Sequence, residues 1–262
     1  MARNAVAKNA GLIKRLKILV WLAALPSACM MGCASQGPVW SYEGATGPAA
    51  WSTLDPAYGT CGSGRNQSPI NIEEVLPRDL PNLQFRYLPT PVRLRNTGRN
   101  VEQAVQPGST LGLGKIPYEL QSLRFHAPSE HRAAGQEFAL EMQWTHKNAQ
   151  GYLAIVAVMV KVGRENLALK PMLKRLPMAA DEQVEASDVV ALDKLLPTQR
   201  TYLRYSGSQT EPPCWENVIW LILTEPIEAS AAQIASFKRI HPNNVRPANP
   251  LGKRQVFLDA MP

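Results

Sequence analysis

A chain of 262 residues is long enough for one sizeable domain, and its composition, 45% hydrophobic and 19% charged, argues against disorder. Of the formal net charge of +7, five positive charges lie in the first 33 residues, which contain no acid, leaving +2 on the remainder. A domain this close to neutral lacks the charge expected of a nucleic-acid-binding protein.

Residues 1–33 predict an export signal. A basic segment precedes the apolar stretch Ile18–Ala28, whose 11 residues are too few for a helix that spans a bilayer, which needs roughly 20. The next segment, Met30–Cys33, resembles the processing site of bacterial lipoproteins, with Cys33 as the lipidated residue. A plain cleaved signal is the alternative, and Cys29 is a second candidate for the lipid. We therefore expect a periplasmic or cell-envelope protein that reaches the membrane only through an N-terminal lipid.

The rest of the chain predicts a single, loop-rich β domain. Residues 34–50 are mostly small and polar and predict a linker or irregular N-terminal arm, with the domain over 40–262. The many scattered prolines argue against long helices. Apolar alternation predicts strands at Val92–Leu94, Glu119–Phe125, Phe138–Thr145, Tyr152–Val162 and Val218–Leu223. Short helices are predicted near Ala168–Lys174 and at Ala231–Ile240, the second after a capping Ser230.

Two segments carry the chemistry: Leu120–His131 (LQSLRFHAPSEH) and Phe138–His146 (FALEMQWTH). They resemble the α-carbonic anhydrase pattern, in which two histidines of F-H-x-H on one strand and a third in E-x-H on the next bind one zinc. Further matches follow in family order at Gln67–Ile72, Tyr205–Ser208, Thr210, Pro212–Cys214, Trp220, Asn244–Pro247 and Pro250–Leu251. The resemblance, which runs from about Trp40 to the end, implies a mostly β (α+β) domain with a large central, twisted, mainly antiparallel sheet and short peripheral helices.

Cys61 and Cys214 are the cysteines that remain after the export signal. In an oxidising compartment two such cysteines pair more often than they stay free. Their positions also fit the disulfide of bacterial members of the family, so a Cys61–Cys214 bridge is expected.

On the family pattern, two of the three zinc-ligand positions are substituted. The first position is Arg124, the second His126 and the third Gln143. A guanidinium does not deprotonate and cannot bind a metal, and Gln143 offers only a neutral carbonyl oxygen. The resemblance therefore implies neither bound zinc nor another cofactor. The remaining histidines are interpreted as structural or surface residues: His131, His146 and His241.

Around these positions the match to the family is mixed. Positions that agree are Glu130 and Thr210, the pair that orients the zinc-bound hydroxide in the family, and Trp220 and Ile155 of the CO₂ wall. Positions that differ are Gln209, Thr145 and Glu211, together with Arg99 at the proton-shuttle position. An arginine cannot shuttle protons at neutral pH.

These substitutions predict a catalytically inactive homologue that acts as an exported binding or scaffold protein. Its candidate pocket comprises Arg124, His126, Glu130, Glu141, Gln143, Gln209, Thr210 and Glu211. In the simplest interpretation, Arg124 pairs with Glu141 or Glu130 and fills the space of the metal. Alternatively Arg124 and Gln209 hold a small anion, or surface loops bind a protein partner. The rival hypotheses are a weakly active zinc-dependent carbonic anhydrase and a metal-free hydrolase, although the latter lacks a nucleophile–base set.

Overall fold

The protein is built mainly from strands, five of which overlap the predicted segments. The structure, a computed structural model, describes residues 39–259, so the predicted export signal and Cys33 lie outside the described residues. Within that range the strands are β1 (Asn71–Ile72), β2 (Leu76–Arg78), β3 (Leu83–Arg86), β4 (Thr90–Asn96), β5 (Val101–Ala104), β6 (Thr110–Leu113), β7 (Ile116–His126), β8 (Arg132–Ala133), β9 (Leu140–Lys147), β10 (Leu153–Val162), β11 (Gln183–Val190), β12 (Tyr202–Ser208), β13 (Glu216–Ala229) and β14 (Phe257–Asp259). The α-helices there are α1 (Trp51–Leu54), α2 (Thr60–Ser63), α3 (Lys170–Leu173) and α4 (Ala231–Ile240).

One large sheet organises the described part of the chain. Its strand order is β11-β4-β5-β7-β9-β10-β13-β12-β14-β2, with β6 also paired to β7 and β3 to β6. The pairs β10–β13 and β14–β2 are parallel and the other pairs of this sheet are antiparallel. The expected mostly β fold with a large, mainly antiparallel sheet and short helices is confirmed.

Strand β10 shows why the centre of the sheet is stable. Its sequence, LAIVAVMVKV, is apolar almost throughout, as expected for a strand covered on both faces. Ala154, Val156 and Val158 pack into the larger hydrophobic core, whereas Ile155 and Ala157 belong to a second cluster on the opposite face. Both faces of the central strands are therefore buried.

Helix α4 begins where the sequence predicts. The Ser230 side chain accepts a hydrogen bond from the Gln233 N–H, and the Gln233 side chain accepts one from the Ser230 N–H, which completes a capping box. Ile234 and Phe237 are buried, and Phe237 stacks on Phe125 with ring centroids 4.4 Å apart. The helix predicted near Ala168–Lys174 is a 3₁₀ turn at Leu167–Leu169 that continues into α3. Across residues 39–259, no helix combines the length and apolarity needed to cross a membrane.

Aromatic packing and a disulfide hold residues 40–61 against the loop that follows β12. Trp40 and Trp51 are buried and lie edge-to-face, with ring centroids 5.1 Å apart. They pack with Cys214, which is bridged to Cys61 as predicted. This bridge joins α2 to the loop that follows β12.

Candidate functional site

The candidate site lies on one face of the neighbouring strands β7 and β9. In their antiparallel register Arg124 is opposite Gln143, and His126 is opposite Glu141. Because side chains alternate along a strand, these four residues share one face. The residues between them point into the larger core and are almost completely buried: Leu123, Phe125, Met142 and Trp144. Apolar packing on one face thus holds the site residues on the other.

Arg124, at the first ligand position, is bound by two carboxylates. Its Nε donates to Glu102 Oε2 at 2.6 Å, and its Nη1 donates to Glu211 Oε2 at 3.0 Å. Burial works against the charge of Arg124, but Glu211 and Glu102 outweigh it, so the pKa of Arg124 is raised. The side chain is 34% exposed and remains a cation with two fixed partners.

Glu211 extends this ion pair into a larger cluster. Its Oε1 accepts hydrogen bonds from Asn100 Nδ2 at 2.5 Å and from the Tyr42 hydroxyl at 3.2 Å. Burial raises the pKa of Tyr42 and the Glu211 carboxylate raises it further, so Tyr42 is a neutral donor. We call Arg124, Glu102, Glu211, Asn100 and Tyr42 the Arg124 cluster. With two carboxylates and one guanidinium, its formal charge is negative.

The prediction that Arg124 pairs with Glu141 or Glu130 is wrong. Those two carboxylates are buried and already accept hydrogen bonds from Gln143. Glu102 is nearer, because the antiparallel pairing of β5 with β7 places it directly opposite Arg124.

Gln143, at the third ligand position, directs its amide nitrogen at the two buried carboxylates. Nε2 donates to Glu130 Oε2 at 2.7 Å and to Glu141 Oε1 at 3.0 Å. Both hydrogens of the amide are therefore used. The residue is 4% exposed, so this arrangement satisfies polar groups that solvent does not reach.

His126 is the one ligand position that keeps a histidine. Its Nδ1 lies 2.8 Å from the Asn244 carbonyl oxygen, and because a carbonyl only accepts, Nδ1 carries the hydrogen. In the neutral ring, Nε2 then presents a lone pair. That atom is buried and has no hydrogen-bond partner within residues 39–259. His126 retains the capacity of a metal ligand without the other two imidazoles.

Glu141 is held ionised by His131. Its Oε2 accepts from the His131 backbone N–H at 2.8 Å, and its Oε1 lies 2.9 Å from His131 Nδ1. Burial opposes ionisation of Glu141, but the charge and hydrogen bonds of His131 prevail and lower its pKa to about 2. His131 Nε2 in turn lies 2.6 Å from the Tyr205 hydroxyl, which contacts Ser68. The interpretation of His131 as structural agrees with this network.

Glu130 and Thr210, the pair that matches the family, are both buried. Glu130 Oε1 accepts from the Arg246 backbone N–H at 2.9 Å, and its Oε2 lies 3.7 Å from His126 Nδ1. Burial raises the pKa of Glu130, while His126 and a hydrogen bond from Thr210 act in the opposite direction. Both residues of the family-matching pair are thus present and buried, but Gln143 occupies one oxygen of the Glu130 carboxylate.

Three other predicted positions are Trp220, Arg99 and Gln209. Trp220 is fully buried and donates from Nε1 to the Ser208 carbonyl oxygen at 2.9 Å. Arg99 donates from Nε to the Trp40 carbonyl oxygen and stacks on the Trp40 ring, 4.3 Å from its centroid. Gln209 has a buried Oε1 without a hydrogen-bond partner among the described residues.

The remaining histidines hold structural contacts. His146 Nε2 lies 2.7 Å from the Tyr87 hydroxyl on the core side of β9. His241 Nε2 lies 2.8 Å from Asn96 Oδ1. Neither contact brings an imidazole to the side chains of Arg124 and Gln143.

Sequence reasoning missed four residues of this site: Glu102, Asn100, Tyr42 and Asn244. A signal existed for Glu102, since pairing Val101–Ala104 with β7 would have placed it beside Arg124. Asn100 and Asn244 lie in segments that resemble the family, NTGRNV and NVRP, but their partners depend on long-range packing. Nothing in the sequence near Tyr42 points to Glu211, which is 169 residues away.

The three ligand positions do not offer the donor set of a zinc site. A catalytic zinc takes three protein ligands, and here one imidazole is accompanied by a guanidinium and an amide. Among the residues that the structure describes, no group of three or more His, Cys, Asp or Glu side chains is placed to hold a metal ion. The residues present do not fit zinc.

The fold and the site together define a carbonic-anhydrase scaffold. A family model described as eukaryotic-type carbonic anhydrase matches residues 46–260. A carbonic anhydrase of Pectobacterium carotovorum is 38% identical over 237 residues, which cover 90% of this chain and 97% of the relative. The chain therefore belongs to the α-type carbonic anhydrase family.

Solved structures agree with this assignment. The α-carbonic anhydrase of Thermovibrio ammonificans, in complex with the inhibitor sulfanilamide, superposes with a TM-score of 0.82 at 32% identity, over 84% of this chain and 99% of that one. Dioscorin complexed with ascorbate superposes with a TM-score of 0.78 at 30% identity, over 84% and 97% of the two chains.

Proposed function

We propose that this chain is a carbonic anhydrase homologue that does not hydrate CO₂ and acts as an exported binding or scaffold protein. The observation that carries the proposal is the hydrogen bonding at the substituted positions. Arg124 is bound to Glu102 and Glu211, and Gln143 donates both amide hydrogens to Glu130 and Glu141. These contacts satisfy the substituted side chains without a metal.

The chemistry of CO₂ hydration explains why this matters. Carbonic anhydrases are themselves the standard example of a zinc that lowers the pKa of its bound water from 15.7 to about 7, which makes hydroxide available. None of the described side chains replaces that effect. Glu130 and Thr210 can orient a nucleophile, but they do not generate one.

The charge of the Arg124 cluster bears on what the site can bind. Arg124 is neutralised by Glu102 and Glu211, so the cluster offers no uncompensated positive charge to a small anion. We therefore favour a protein partner over an anion at this site. The dioscorin structure, described as a complex with ascorbate, supports a binding role for the same fold.

The rival function is a weakly active zinc-dependent carbonic anhydrase. It is favoured by His126, whose buried Nε2 has no partner in the described range, and by the retained Glu130, Thr210 and Glu141. Relatives named carbonic anhydrase point the same way.

A CO₂ hydration assay separates the two functions. Protein from a zinc-supplemented culture should hydrate CO₂ no faster than buffer does. A rate above buffer that sulfanilamide abolishes would contradict the proposal and support the enzyme. Export and lipidation at Cys33 stay predictions. The intact mass of membrane-extracted protein tests the lipid, and a mature N-terminus beyond Cys33 without lipid mass would refute lipidation at Cys33.

A further inference from the structure

A second cavity lies at the end of the sheet, away from the ligand positions. It has a volume of about 460 Å³ and is lined by residues of β2, β12, β13 and β14 and of the loop before β14. Arg124, His126 and Gln143 take no part in it. The side chains that matter for its chemistry are Arg78, Arg204, Lys253, Arg254, Tyr205 and Phe257. We call this cavity the basic cleft.

The basic cleft is lined by four cationic residues and no carboxylate. None of the four forms an ion pair with another residue in the range 39–259. Glu216 acts on Arg254 from outside the lining, and Asp259 is buried, with its Oδ1 accepting from the Leu80 N–H. Like charges placed together repel unless a counter-ion joins them.

A cavity of similar size elsewhere on the protein differs from the basic cleft in the pairing of its cations. The other cavity, of about 500 Å³, contains Lys161 and Arg164, and both are paired with Glu228. Its lining also contains Glu165 and Glu225. The cations Lys161 and Arg164 of that cavity are thus matched by acids, and those of the basic cleft are not.

Backbone carbonyl oxygens hold one of the four cations, Arg254, in place. Arg254 donates to the carbonyl oxygens of Leu251, Ser206 and Pro250 at 2.9, 3.1 and 2.9 Å. Five N–H groups belong to a guanidinium, so two of its hydrogens stay available. Burial lowers the pKa of Arg254, which means that its charge is poorly solvated and would be stabilised by an anion.

The strand pairing positions the other two arginines on one face. Arg204 of β12 is directly opposite Phe257 of β14, and Phe257 is opposite Leu76, two residues before Arg78. The Arg78 guanidinium stacks over the Phe257 ring, 4.1 Å from its centroid. Such stacking holds a guanidinium in one orientation and leaves its edge free for hydrogen bonds.

We propose that the basic cleft binds a phosphate group, carried either by a soluble molecule or by a lipid headgroup. Guanidinium groups bind phosphate through paired, charge-assisted hydrogen bonds, and Lys253 adds an exposed ammonium. The net charge of the whole domain is small, so it does not reveal the local excess of positive charge at the basic cleft. The inference does not depend on the proposed function, since the cleft is separate from the ligand positions.

The test uses protein produced from the full-length gene and inorganic pyrophosphate as the probe, in isothermal titration calorimetry at 0.15 M salt. Arg204→Gln with Lys253→Gln removes two cations and leaves the backbone-bound Arg254 in place. The matched control is Lys238→Gln with Arg239→Gln, which removes one lysine and one arginine from the exposed end of α4. We expect saturable binding that the cleft variant weakens by about tenfold or more and the control changes by less than twofold.

A second arm distinguishes the source of the phosphate. The same three proteins are sedimented with vesicles of phosphatidylcholine alone and with vesicles that also contain phosphatidylglycerol. If the wild type and the control bind the anionic vesicles and the cleft variant does not, the phosphate belongs to a lipid. If the wild type binds pyrophosphate but not these vesicles, the ligand is a soluble molecule. The inference is overturned if neither probe binds saturably, or if both double variants lose binding equally, which would indicate a delocalised effect of charge.

Discussion

On one face of β7 and β9, Leu123 and Met142 pack into the larger core with no exposed surface; on the other face, Arg124 and Gln143 stand where the family pattern has zinc ligands. The first face keeps the apolar character that the fold requires, because a close-packed core penalises changes in volume or polarity. The second face has exchanged imidazoles for a guanidinium and an amide, and both find hydrogen-bond partners nearby. Hence the core face is conserved in character while two of the ligand positions on the other face are substituted.

Stability measurements on variants of the two faces test this difference. Met142→Ala removes a completely buried side chain and should lower the free energy of unfolding by about 2–5 kcal/mol. Arg124→Gln on the opposite face removes a one-third-exposed ion pair and should cost about 1 kcal/mol or less. Urea unfolding of both variants checks this. Equal losses would mean that the Arg124 cluster supports the fold as strongly as the core does.

His146 is a polar residue on the core side of β9, and its titration tests that face separately. Burial lowers its pKa from 6.5 to about 4. Between these values the unfolded chain binds a proton that the folded chain excludes, so stability is lost as pH falls from about 6.5 to about 4. The loss due to this residue is at most about 3 kcal/mol.

The measurement is urea unfolding at pH 7, 5.5 and 4 of the wild-type protein and of His146→Gln. The variant lacks the titrating ring, so over this window it should lose less stability than the wild type. Curves that stay parallel across the three pH values would show that His146 is not kept neutral by the core.

The sequence predicted the strands of the site better than its contacts. Alternation along Glu119–Phe125 and Phe138–Thr145 is a local pattern, and the core enforces it, so the register and the shared face of Arg124 and Gln143 could be predicted. The disulfide and the capped helix α4 follow from equally local or compositional signals. The partners of Arg124 could not be predicted in this way. Glu211 lies 87 residues away, in the loop after β12, and no local pattern determines the path of that loop.

We expect that replacing Arg124 and Gln143 with histidine is enough to turn these positions into a zinc site. Zinc binding to the full chain, measured by titration and elemental analysis, tests it for the wild type and for Arg124→His with Gln143→His. The control, Arg124→Gln with Gln143→Asn, removes the same side chains without adding imidazoles. Three imidazoles with Glu141 retained nearby should bind about one zinc per chain. We expect no stoichiometric zinc in the wild type or the control; stoichiometric zinc in the wild type, or a folded histidine variant that binds none, would contradict the account.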